Sequence, residues 1–124
     1  MDMLKSEFKN YKYNLRSSTV GSIPQGQTFK RASIIPYHVK DKVNYYALFV
    51  DSRFRQITDC GGVVKGGDFL AEALRELDEE SQGLFKLYSF GDHLNACKCY
   101  YDDERIVIFV EILSTTAFQY GSLL

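Results

Sequence analysis

Glu76, Glu79 and Glu80 stand at i, i+3 and i+4 within the segment Gly61–Gly83, GGVVKGGDFLAEALRELDEESQG. On a helix these offsets are neighbours on one face. Carboxylates packed that closely repel one another unless a cation sits among them, and hard oxygen donors suit Mg²⁺ or Mn²⁺. A glycine-rich turn at Gly61-Gly62 precedes the acids. Together, turn and spacing point to a divalent-cation site.

The element that must carry these acids is well marked. Asp68 is placed to cap a helix by accepting from free backbone N–H groups. Phe69, Leu70, Ala73, Leu74 and Leu77 form an apolar stripe at helical spacing. Gly83 fits a left-handed stop. Glu72, Glu76, Glu79 and Glu80 lie off the stripe, so burying it leaves the acids looking outward. Around the helix the order is mixed α/β. Arg31–His38 and Asn44–Val50 read as strands joined by Val39-Lys40-Asp41-Lys42, and Phe54–Thr58 as a third ending at Gly61-Gly62. Val63-Val64 pairs briefly before a second turn at Gly66-Gly67. Leu84–Ser89, Asn95–Tyr101 and Arg105–Leu113 complete the set, the last two forming a hairpin through Asp102-Asp103-Glu104. Residues 1–27 are polar and spotted with Ser, Gly and Pro, which reads as a partly irregular arm ahead of one domain over 28–124.

The segment resembles the Nudix box, written G-x5-E-x7-R-E-U-x-E-E-x-G-U with U a bulky aliphatic residue. With Gly61 on the first glycine, Arg75-Glu76-Leu77 falls on R-E-U and Glu79-Glu80 on the E-E pair, without a gap. Two positions depart from the pattern. Gly67 stands where the family has its first glutamate, with Asp68 one position late. Gln82 stands at the late glycine, with Gly83 one position late. The resemblance implies a Nudix-like α/β/α sandwich within the α/β class, and hydrolysis of a pyrophosphate bond in a nucleoside diphosphate linked to another group. In the family the first glutamate orients the box arginine, a role Asp68 can take over toward Arg75.

The implied roles follow the chemistry. Divalent cations stabilise the dense negative charge of a pyrophosphate and lower the pKa of an attacking water. Glu76, Glu79 and Glu80 are the expected metal ligands, with Mg²⁺ or Mn²⁺ as cofactor, and the backbone carbonyl of Cys60 or Gly61 completes the shell. Arg75 holds a carboxylate in place. The general base is a box glutamate or a later acid. Glu111 is the one acid inside the apolar strand Ile106–Leu113, and it reads equally well as a solvent-facing strand residue. For the substrate, Tyr45 offers a stacking surface, and Arg31, Arg53 and Lys65 offer phosphate or ribose contacts.

Composition sets outer limits. The 124-residue chain carries 15 basic and 16 acidic residues, so no overall field draws it to nucleic acid or membrane. Basic residues nevertheless gather in the arm at Lys5, Lys9, Lys12 and Arg16, which keeps RNA as a substrate option beside small nucleotides. No apolar run spans a bilayer and the amino terminus is too polar for a secretory signal. Cys60, Cys97 and Cys99 lack zinc-site spacing and read as small hydrophobes in a reduced, cytoplasmic protein. After the last strand only Ser114–Leu124 follow, little for the second helix of a Nudix domain. Either the expected fold is reduced at that end, the chain is trimmed there, or a partner copy supplies the cover; an exposed apolar sheet face favours a homodimer. Two functions stand open: a metal-dependent pyrophosphohydrolase, and a catalytically weak Nudix-like module that binds nucleotide or RNA.

Overall fold

A computed structural model describes residues 15–51, 56–58, 60–85, 87 and 93–113, with backbone alone for 49–51, 56–58 and 60. Arg53, the lysines of the arm and Ser114–Leu124 lie outside the described residues.

Val, Ile and aromatic side chains suit a pleated, half-buried surface, and the two richest runs form the centre of the sheet. These are β2 (Arg31–Lys40) and β8 (Arg105–Glu111). They pair in parallel, Arg31 opposite Arg105 through Tyr37 opposite Glu111. Ala32 to Pro36 are buried on both faces, the pattern of a strand sandwiched between layers. The six-stranded sheet runs β1 (Arg16–Thr19), β7 (Lys98–Tyr101), β8, β2 and β3 (Val43–Tyr46), with β6 (Cys60–Val63) also pairing β2. β4 (Phe49–Asp51) and β5 (Gln56–Thr58) form a separate hairpin. The fold is thus mixed α/β, with one α-helix among the described residues: α1, Phe69–Glu80. That helix is too short to cross a membrane.

β2 changes partner along one edge. Arg31–Ile34 pair with β6, and Tyr37–Lys40 with β3. Pro36, which has no N–H to give a ladder, stands at the changeover, its carbonyl accepting from Ala47 N–H at 2.8 Å. The β2–β3 turn is Asp41-Lys42, both at positive φ of 53° and 64°. That conformation matches the right-handed twist of the strands it joins.

α1 packs on β2 and β6. Ala73 and Leu77 meet Ala32, Ile34, Ile106, Ile108 and Val110 in the main core. Phe85 and Leu87 join this core but lie outside any strand, so the described part of Leu84–Ser89 is not the strand expected. On the other face Ile35, Leu48 and Val107 are buried beside Tyr46 and Phe109. The centre of the face expected to be bare is therefore covered. Segment 15–27 joins the same body: β1 pairs β7 and Val20 is in the core. Cys99 is buried, and burial with the nearby Cys97 pushes its thiol up to about 11.

Candidate active site on the acidic helix

Gly61 and Gly62 lie inside strand β6, opposite Ser33 and Ala32, rather than in the turn expected of them. The turn comes later, at Gly66 and Gly67, with φ of 84° and 88°. The paired glycines serve close approach instead. Successive strand residues face opposite ways, and each missing side chain admits a longer one. A Cβ at 61 would run into the Arg31 guanidinium, 2.8 Å from Cζ, and would sit 2.8 Å from Ser33 Cβ. A Cβ at 62 would run into Glu76, 2.6 Å from Cγ and 2.5 Å from Cδ. Glu76 therefore lies across the face of β6 that carries α1, and Arg31 across the other.

The helix that delivers Glu76 begins where Asp68 accepts from Ala71 N–H at 3.0 Å. It ends at Ser81, with Gln82 and Gly83 both in the left-handed region at φ 54° and 79°. Gly83 N–H then donates to Asp78 O at 2.8 Å. About two turns of this helix carry the charge network. Arg75 Nη2 donates to Glu76 at 2.7 Å and also to Glu72, while Nη1 donates to Glu79 at 2.8 Å. Glu72 and Glu76 are the shielded members, their side chains 13 % and 18 % exposed against 61 % for Glu79. Glu72 and then Glu79 hold the Arg75 guanidinium well above its ordinary range, so it is a permanent cation. Glu80 is exposed and makes no ion pair among the described residues.

Two expectations change here. Asp68 makes no ion pair with Arg75: it stands about two helix turns earlier, where its Oδ1 caps the helix. Glu72 holds Arg75 instead. Sequence reasoning passed over Glu72, although its i−3 offset from Arg75 and i−4 offset from Glu76 were legible.

The other candidates are spread out. Lys65 is exposed in the loop just past β6, and Cys60 opens β6 opposite Ile34. Arg31 is on the opposite face from Glu76. Glu111 is too: it shares a face with Val107 and Phe109, while Ile106, Ile108 and Val110 face α1. It is exposed opposite Tyr37, whose hydroxyl is pushed up first by burial and then by the Glu111 charge. Tyr45 is exposed in β3 opposite His38, six residues along β2 from Ala32 and Gly62, or roughly 20 Å at strand rise. Neither Glu111 nor Tyr45 comes together with the helix acids. Of the basic residues beyond the helix, Arg16 pairs with Asp103 and Lys30 with Glu104.

Hard carboxylate oxygens are donors of the type that Mg²⁺ or Mn²⁺ takes, and Glu76 lies over a glycine. Their arrangement is an ion-pair network around Arg75. Among the described residues no three His, Cys, Asp or Glu side chains converge on a point that could hold an ion. Arg75 stands between the acids and carries the positive charge there. Comparison with protein-family models, curated proteins and solved structures finds no match to this chain.

Proposed function

We propose that this protein is a Nudix-type pyrophosphohydrolase acting on a nucleoside diphosphate linked to a second group, with Mg²⁺ or Mn²⁺ as cofactor. The observation that carries the reading is the seat of Glu76 over Gly62, tied through Arg75 to Glu79. β6, the Gly66-Gly67 turn and the acidic helix fold onto one another, which supports the reading. The sandwich architecture of that family is part of the same proposal.

Glu76, Glu79 and Glu80 would hold the ion, with the backbone carbonyl of Cys60 or Gly61. When bound, it supplies charge stabilisation at the phosphates and a more acidic water. Arg75 fixes the directions of Glu76 and Glu79 by donating to both. Lys65, exposed in the adjoining loop, is the described cation beyond the helix best placed to meet phosphate oxygens. Glu111 has no part in this reading, being across the sheet, so the base is assigned to a helix glutamate.

Gly67 favours a second reading. It stands in a positive-φ turn where the family pattern has a carboxylate, and no three acids converge. A binding module with little turnover has the same fold. One experiment separates them. Nucleoside triphosphates, dinucleoside polyphosphates, ADP-ribose and capped RNA are incubated with the protein and Mg²⁺ or Mn²⁺, beside Glu79→Gln and Glu80→Gln. Metal-dependent pyrophosphate cleavage is expected in the wild type, falling at least about a hundredfold in each variant. Binding without cleavage selects the second reading, and cleavage untouched by both variants removes the helix site.

A further inference from the structure

We propose that the outer edge of β3 is a self-association surface, pairing antiparallel with β3 of a second copy across a two-fold axis so that two sheets join into one.

The backbone sets the geometry. β3 closes on β2 through the two-residue turn Asp41-Lys42, so Val43 and Lys40 form a hydrogen-bonded pair, and such pairs recur at every second residue of an antiparallel ladder. Ala47 keeps that phase by donating to Pro36 O. Asn44 falls out of phase. Its N–H and C=O therefore point away from β2, toward the side where the sheet order ends and no other described strand pairs β3.

Outward-pointing groups of this kind suit another strand, and a monomer ordinarily guards against one with a charge, a proline or a bulge at the edge. β1, at the opposite end of the sheet, follows that rule: Arg16-Ser17-Ser18-Thr19 is polar throughout and carries a charge. β3 does not. Val43-Asn44-Tyr45-Tyr46 holds no charge and no proline, and Val43 and Tyr45 are 40 % and 42 % exposed on one face. Val39, exposed opposite Asn44, adds to them. Three of the six exposed large apolar side chains among the described residues thus stand on this one hairpin.

The sequence of the edge fits its own copy. A two-fold axis at Asn44 lets the two Asn44 residues exchange backbone hydrogen bonds and sets Val43 of each copy against Tyr45 of the other. Pairs of β-branched and aromatic side chains stabilise sheets in this way. The turn charges Asp41 and Lys42 then lie beside the uncharged Tyr46 and Ala47 of the other copy, with no like charges opposed.

Sedimentation velocity across the micromolar range reads the association, with urea unfolding of each protein as the check on folding. The wild type is expected to move from one chain to two as concentration rises, and no further. Asn44→Pro removes an N–H that β2 does not use, so the hairpin tolerates it. It and Val43→Lys, which puts a charge on the edge, are each expected to weaken association at least about tenfold, the scale of losing a pair of backbone hydrogen bonds. Ser17→Lys, on exposed β1, is expected to change it less than about twofold.

A strictly monomeric wild type overturns the proposal, and so does growth beyond two copies, since pairing across a two-fold axis closes. Association kept by either folded β3 variant, or lost in Ser17→Lys, overturns it too. Val43→Lys decides alone should Asn44→Pro lose its urea transition.

Discussion

Adding a single methyl group at Gly62 would place a carbon 2.6 Å from Glu76 Cγ and 2.5 Å from its Cδ. The whole acid side chain would have to swing away, taking the carboxylate off Arg75. Gly62→Ala is therefore expected to lower metal-dependent turnover about a hundredfold, because displacements near 1 Å at a reacting centre cost that much. The fold should suffer far less, since a side chain at the helix surface can rotate; urea denaturation is expected to show a loss below about 2 kcal/mol. Wild-type turnover in this variant would sink the cradle role of Gly62. Here the sequence was half legible. The acids and the glycines were visible as a unit, but two adjacent glycines look the same in a turn as in a strand. Only the register with Ser33 and Ala32 tells that they are strand residues making room on opposite faces.

Among the elements, α1 was the most legible. Its cap, apolar stripe and stop are all local, and the structure has Asp68, Ala73, Leu77 and Gly83 in those roles. The stop holds one surprise. Gln82, which stands at the late glycine of the box pattern, itself adopts the left-handed conformation at φ 54°. A side chain with a Cβ is disfavoured there by about 1–2 kcal/mol. Gln82→Gly relieves that strain but gives the unfolded chain more freedom, worth about 0.4–1 kcal/mol in the other direction. A net gain of about 0.5–1 kcal/mol is expected, read as a higher urea midpoint with unchanged slope. A lower midpoint would mean that Gln82 makes a contact worth more than the strain. The strands were legible as apolar runs but not at their ends. The run Asn44–Val50 breaks at Ala47: its N–H still bonds Pro36 O in register, but Pro36 has no N–H to return a bond, so the ladder with β2 ends there.

At the scale of the whole molecule, hairpins could be anticipated from their turns, and β2–β3 and β7–β8 both occur. The parallel pairing of β2 with β8 could not. Two apolar runs far apart in the chain fit many sheet orders, and the choice is made by the layers packed on both faces. This pairing brings together residues 74 positions apart, as where His38 Nδ1 donates to Ile112 O at 2.7 Å. Its consequence is kinetic. The two hairpins close short loops and form early, but each alone is marginal in water. The sheet exists only once the long loop between them closes, an entropic cost met before its contacts reward it. The meeting of β2 and β8 is thus expected to limit the rate of folding, with the helix and its acids carried inside the closing loop. Ile108→Val, at that seam, is expected to slow refolding, whereas Val20→Ala, beside the edge strand β1, chiefly speeds unfolding. Stopped-flow refolding and unfolding of the two variants gives the comparison, and the reverse pattern would put the nucleus elsewhere. The helix acids thereby gain their setting only when two strands far apart in the chain have found each other.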